Sequence, residues 1–422
     1  MVSASLSSSL RLSRCRLSRA FERPLSGLGK RLTTPNKRIL LGVTADISLG
    51  LMRGFPQYLV SRGWDVHLVS SPGSQLDALR GLDGITVHPL EMAREPSLAA
   101  DLRGLFAWRS LIQEVRPDVV SAGTPKAGLL GMLAAASLRQ PRRIYTLRGL
   151  RLEGTSGAKR LILSAVERLT MWASTDIIAV SPSLRSAVLE RGLTRAAKIR
   201  VLGRGSSNGV DTERFRPDLL DAERRDALRQ ELGLDGSTPV IGFVGRLNAG
   251  KGLEFFAEAC QLLVAQGHRF QVLVVGGIDD EASRDIAASF PRDSFSPTGT
   301  GPVFTGQVSD TAPYYQVMDI LCLPTLREGF PNVVLEAGAS GLPVVTTNAT
   351  GAVDSVVDGE TGLIADVASS ESLAQKLGQL LEDQAACRAL GLAATHQVSK
   401  HYSNALVWSI LQDSFENGTE GN

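Results

Sequence analysis

The sequence predicts an α/β protein built from two doubly wound halves. Three observations carry that expectation. Short apolar runs alternate with helical segments along nearly the whole chain. The alternation restarts beyond residue 203. The joints that follow the apolar runs are short and hold the unusual glycines and charges, as in parallel sheets covered by helices on both faces. A chain of 422 residues is too long for one ordinary core and sufficient for two.

Order is expected to begin at Lys37. Arg38–Val43 reads as a buried strand ending in Thr44-Ala45-Asp46. Leu49–Arg62 follows with helical spacing through Leu51, Phe55, Tyr58 and Leu59, and Gly63 stops it. Trp64–Ser70 and Ile85–Leu90 are strands, Ala99–Val115 a helix and Pro117–Ala122 a fourth strand. Lys126–Leu138 is helical, Arg143–Thr146 a strand, Ala158–Ala173 a helix, and Asp176–Ser181 and Ile199–Leu202 are strands.

Gly203–Pro217 is rich in Gly, Ser and Asn and reads as a linker. The second series holds strands at Pro239–Val244, Phe270–Val275, Val303–Gly306, Ile320–Leu323 and Pro343–Thr346. Its helices are Leu253–Gln266, Thr311–Met318, Asn332–Ser340 and Ser370–Leu381, followed by His401–Phe415. Residues 293–302 read as a mobile loop. The division expected is a basic segment over 1–36, a first Rossmann-like domain over 37–203, a second over 204–398, and a helix within 399–422 packing back toward the first.

Composition narrows the function. A hydrophobic content of 43%, a charged content of 21% and a formal net charge of +2 fit a soluble globular protein and give no reason to expect nucleic acid. Residues 1–38 hold a single acid, Glu22, among many Arg and Lys, which suits either an unstructured start or contact with an anionic membrane. That stretch suggests a transit peptide and lacks the apolar core of a secretory signal. No apolar run is long enough to span a bilayer. Cys15, Cys260, Cys322 and Cys387 form no CxxC pair and, three of them lying among apolar residues, read as buried thiols of a reducing compartment. The histidines are dispersed, and neither they nor any DxD motif suggests a metal site.

Two loops carry the chemistry. Gly245–Gly252 (GRLNAGKG) lies between a strand and a helix and nearly fits the Walker A pattern, but Gly252 stands where a magnesium-binding hydroxyl belongs. What survives is either a tight turn with two surface cations or a phosphate cradle: glycines that let backbone approach an anion, a helix N-terminus, and the cations Arg246 and Lys251. The second loop, Glu328–Glu336, follows the strand Ile320–Leu323. Pro331 suits the first helical turn. Glu328 then stays in the loop while Glu336 lies a turn inside the helix, placed to accept from a ribose diol.

GRLNAGKG, FTGQVSD and MDILCLPTLREGFPNVVLEAGASGLPVVTTNATG, in that order, resemble the C-terminal half of the retaining GT-B glycosyltransferases of family 4, and Glu328 and Glu336 match that family's E-x7-E motif. The linker GSSNGVDTERFRP is similar too; GTPKAGLLG and YTLRGL resemble, more weakly, members that extend capsule, O-antigen and lipid-linked glycans. The resemblance implies a GT-B architecture, with two domains facing a cleft. It implies that Arg246 and Lys251 hold the donor diphosphate, that Glu336 binds the ribose, and that Glu328 lies near the transferred sugar. Gly329, Phe330, Pro331 and Asn332 would offer contacts to sugar and phosphate, and Gln307 and Val308 would rest against the base. On the acceptor side the chain departs from many relatives, with Ala45–Gly50, including Ser48, where they have a Gly-Gly pair, and Gly123-Thr124-Pro125-Lys126 where they have a histidine. Ser48, Thr124, Lys126 and Arg148 are the acceptor-side candidates.

The activity implied is transfer, with retention, of a hexose or N-acetylhexosamine from a nucleotide sugar, UDP in the first instance, to a glycan or lipid-diphosphate-linked acceptor. No cofactor or metal is expected. The place expected is the cytoplasm, with peripheral contact at the inner membrane face. A nucleotide-sugar 2-epimerase and an idle nucleotide-binding scaffold are the competing readings.

Overall fold

The computed structural model describes residues 37–92, 97–278 and 301–417. Cys15, the basic segment 1–36 and positions 293–300 of the expected loop lie outside the described residues.

Two wholly parallel sheets organise the chain. The first contains β1 (Arg38–Gly42), β2 (Asp65–Ser70), β3 (Ile85–Pro89), β4 (Val119–Gly123), β5 (Arg143–Leu147), β6 (Asp176–Ala179) and β7 (Ile199–Val201), in the order β3-β2-β1-β4-β5-β6-β7. The second contains β8 (Val240–Val244), β9 (Gln271–Val275), β10 (Val303–Gly306), β11 (Ile320–Leu323), β12 (Val344–Thr347) and β13 (Gly362–Ala365), in the order β10-β9-β8-β11-β12-β13. Both are doubly wound, so strand order reverses between β1 and β4 and again between β8 and β11. Ligands of such sheets bind beyond the strand ends at that reversal. The central strands read as unbroken apolar runs because helices cover both faces; every residue of β8, β9 and β11 is buried. One hydrophobic core runs through both halves, from Leu40 and Trp108 to Phe243 and Leu377.

A second core closes the chain's end onto its beginning. Val407, Leu411 and Phe415 of the last helix, Asn404–Asn417, pack with Ile39, Phe55 and Leu59. The Trp408 ring lies 5.5 Å from that of Tyr58, and its indole N–H donates to Asn208 at 2.8 Å.

That docking corrects the expected helix Leu49–Arg62. The segment is a 3-10 helix over Asp46–Met52 and an α-helix over Phe55–Ser61, divided at Gly54. Gly54 has φ 81, and a Cβ there would stand 2.7 Å from the Trp408 ring. At the other end, His401 closes an earlier helix, Gln384–His401, whose start is capped by Asp383. The chain breaks at Tyr402 because Val210 takes both neighbouring backbone groups: its N–H donates to Tyr402 O and its carbonyl accepts from Asn404. Of the expected Thr311–Met318 helix, only Ala312–Tyr315 is α-helical. Cys260 and Cys322 are buried and free, and burial pushes both thiols well up. Cys387 is only partly covered, with its thiol pushed up to about 11.

Candidate active site

The two chemical loops of the second half follow β8 and β11, at the reversal of its sheet. After β8 the chain makes a 3-10 turn over Ala249–Lys251 and enters the helix Leu253–Ala265 through Gly252. Gly252 has φ 67 and backs directly onto the Pro324 carbonyl, so a side chain there would part the two loops. Thr325 Oγ1 and Leu326 N both donate to Gly250 O, at 3.1 and 3.0 Å. The loops are thereby stitched together, and Lys251 Nζ donates to Glu328 Oε1 across 77 residues of sequence. Both side chains are mostly covered. A cation and a carboxylate held this way neutralise each other until an anion competes for the lysine.

Glu336 stands alone from that pair, on the helix Asn332–Ala339. Pro331 is its N-cap, extended at φ −78 and ψ 109, so the helix starts one residue later than the proline suggests. Glu336 Oε2 accepts from the Tyr315 hydroxyl at 2.8 Å. Burial pushes the Glu336 carboxyl above the ordinary range, opposed by the Tyr315 bond and by the charges of Arg214 and Arg53.

A cavity of about 580 Å³ opens above these elements. Arg246, Gln307, Val308, Asn332 and Glu336 line it from the second half. Asn332 Oδ1 is buried with no hydrogen-bond partner, an acceptor left unsatisfied at the wall of the cavity. Lys251, Glu328, Gly329, Phe330 and Pro331 are outside this lining. Gly329 packs against the carbonyl of Arg148, and the Phe330 ring lies 5.4 Å from that of Tyr402.

The acceptor-side candidates are dispersed. Ser48 sits in the 3-10 segment whose neighbours Ile47, Gly50 and Arg53 reach the cavity. Thr124 holds φ 73 and its hydroxyl is bonded to Thr44, at 2.9 Å to the amide and 2.8 Å to the hydroxyl. Lys126 Nζ donates to Asp101 Oδ1 at 2.6 Å, which explains how a cation is tolerated at a helix start. Arg148 bonds the Leu51 carbonyl at 3.3 Å, and burial pulls its guanidinium down to about 10. None of these three lines the large cavity.

Three groups at the site were not singled out by the sequence reading. Arg53 enters the cavity from the first half, Arg214 from the linker, and Tyr315 supports Glu336 from below. Arg214 is held by Asp310 at 2.8 Å. A lone arginine in a joint has no local signature, and a tyrosine in an apolar run reads as core; the only signal was Arg214's place in the linker segment.

Two family models match the chain: "Glycosyl transferase 4-like domain" over residues 53–205 and "Glycosyl transferases group 1" over residues 238–383. The capsular polysaccharide biosynthesis glycosyltransferase CapM of Staphylococcus aureus is 37% identical over 380 residues, 90% of this chain and 97% of that one. The chain belongs to the group 1, family 4 glycosyltransferases. The transferase is also similar to the UDP-Gal:alpha-D-GlcNAc-diphosphoundecaprenol alpha-1,3-galactosyltransferase of Escherichia coli, 25% identical over 295 residues, covering 69% of this chain and 74% of the relative. Its fold matches the crystal structure of a glycosyltransferase from Rickettsia africae ESF-5 at a TM-score of 0.75 and 20% identity, covering 92% of this chain and all of that one. The architecture is therefore GT-B, as the order of motifs implied.

Proposed function

We propose that this glycosyltransferase moves a hexose or N-acetylhexosamine from a UDP sugar, with retention, to a lipid-diphosphate-linked glycan during cell-surface polysaccharide biosynthesis. The observation that carries the reading is the meeting of Lys251 and Glu328 beside a cavity lined by Arg246 and Glu336. The relatives' names support the polysaccharide and lipid-diphosphate parts of it.

In this scheme the donor diphosphate replaces Glu328 as the partner of Lys251. Glu328 is thereby released to accept from a sugar hydroxyl. Arg246 and Lys251 stabilise the negative charge that grows on the leaving phosphate, more in the transition state than before it. The acceptor oxygen attacks the anomeric carbon from the side the phosphate leaves, and that phosphate takes the acceptor's proton. Glu336, ionised, accepts from the ribose diol, with Asn332 and Gln307 nearby. No step requires a metal or cofactor. The acceptor enters past the Asp46–Met52 segment and Arg53, and the reaction belongs on the cytoplasmic side of the membrane.

The test is a panel of sugar nucleotides offered with and without a lipid-diphosphate sugar, in the presence of a chelator. The expected result is acceptor-dependent release of UDP and an α-linked product by mass spectrometry and NMR. Conversion of the sugar without acceptor would mean epimerisation, and chelator-sensitive turnover would overturn the metal-free cradle.

A further inference from the structure

We propose that the outer helical face of the first half is a docking surface for an anionic lipid bilayer. The proposal deepens the reading of a lipid-linked acceptor and rests on it for its purpose, while its test reads lipid binding alone.

Three helices cover one side of the first sheet. Pro125–Ser137 packs between Leu98–Val115 and Gly157–Ala173. The two flanking helices are apolar on the side that faces the protein, and apolar again on the side that does not. On Gly157–Ala173, Met171 and Ala173 are buried inward. On its outer side Leu161 is 74% exposed, Ile162 63% and Trp172 71%, with Leu169 also exposed. At 100° per residue these four, with Ala158 and Ala165, fill one arc of roughly 100°. Arg168 borders that arc on one side, and Lys159 lies roughly 60° beyond the other edge. On the companion helix Leu98, Leu102 and Phe106 form a second exposed stripe at four-residue spacing, beside Arg103.

A helix apolar all round is ordinarily buried all round. Here large apolar side chains face outward on two helices, including two aromatic rings of the kind that settle at a bilayer interface. Charge selects the occupant. The acids of these two helices are Asp101, neutralised by Lys126 at 2.6 Å, Glu167, turned inward to Tyr145 at 3.2 Å, and Glu114 near the far end. Exposed cations around an apolar centre, with the acids paired or remote, complement anionic headgroups over acyl chains. The geometry also serves the reaction. Helices that follow parallel strands begin at the ligand-binding edge of the sheet, so Leu98, Leu161 and Ile162 sit at the cleft end of their helices. A lipid-linked acceptor would then lie beside the cavity while its tail remained in the membrane.

The full-length protein is mixed with phosphatidylcholine vesicles with or without phosphatidylglycerol, and binding is followed by sedimentation and tryptophan emission. Trp64 and Trp108 are buried and Trp408 is half-buried against Tyr58, so Trp172, which is 71% exposed, should supply the change. The expected result is a blue shift with phosphatidylglycerol vesicles and quenching by acyl-brominated lipid, both abolished in Trp172→Phe. Paired Leu161→Ser and Ile162→Ser should weaken vesicle binding at least tenfold, with turnover of a short-chain soluble acceptor kept within twofold. Lys159→Gln with Arg168→Gln should remove most of the preference for the anionic vesicles. Trp172 emission unchanged at saturating vesicles, or undiminished binding by the Leu161/Ile162 variant, would overturn the proposal. So would concentration-dependent dimerisation lost in that same variant, which would make the face a contact between copies. Failure of turnover with intact vesicle binding would count against the transfer reading and leave the surface standing.

Discussion

The two halves share one topology and differ in what they do with the same place in it. In the second half, the loops at the sheet reversal hold charges near open space: Arg246 and Glu336 line the cavity, and Lys251 pairs with Glu328. In the first half, the loops after β1 and β4 are turned on each other. Thr124 takes both the amide and the hydroxyl of Thr44, whose Oγ1 also accepts from Ala127 N at 3.1 Å, and Lys126 is held by Asp101. The second reversal point borders the cavity, while Thr44, Thr124 and Lys126 at the first are bonded within their own half. Fold alone therefore does not say which half binds the nucleotide, and the proposed assignment rests on Arg246 and Glu336 bordering the cavity.

The sharpest way to break this contrast is Lys251→Ala. Loss of a preorganised cation at the leaving phosphate should lower kcat by about 10²- to 10³-fold, and near-normal turnover would dissolve the cradle. Glu336→Gln comes next. It weakens charge-assisted bonds to a ribose, so donor KM should rise roughly tenfold with kcat little changed, and the penalty should vanish for a donor lacking the ribose hydroxyls.

Tyr315→Phe is a subtler test of the same carboxylate. Because burial raises the Glu336 pKa while the Tyr315 bond lowers it, donor binding should fall as pH drops through that raised pKa. Removing the phenol should move the acidic limb of kcat/KM to higher pH and raise donor KM roughly fivefold. A limb that stays in place would separate Tyr315 from Glu336. The smallest effect on activity should come from Thr124→Val in the closed half. Donor KM should stay about constant, while denaturant unfolding should report a loss of about 1–3 kcal/mol for the stranded Thr44 amide. A large donor effect with unchanged stability would erase the distinction between the halves.

How much of this was legible depended on distance along the chain. GRLNAGKG and the segment from Glu328 to Glu336 are local, so strand, loop, helix and charge could be read together, and the structure puts them at the reversal of one sheet. The Lys251–Glu328 bond, the support of Glu336 by Tyr315 and the entry of Arg53 from the other half are tertiary, with no trace in local pattern. The break at Gly54 was hidden for the same reason, since Trp408, more than 350 residues away in sequence, occupies the space above it. The bond of Lys126 to Asp101 is tertiary in the same way, since Asp101 lies on another helix.

The central claim is that Arg246 and Lys251 form a diphosphate cradle that needs no metal. Calorimetric titration of UDP and of uridine, in chelator, into the wild-type protein and Lys251→Ala tests it most directly. The account predicts that the wild type binds UDP much more tightly than uridine, and that the variant loses at least tenfold in UDP affinity while its uridine affinity is unchanged. Equal affinities for UDP and uridine in the wild type, or an undiminished UDP affinity in the variant, would contradict it.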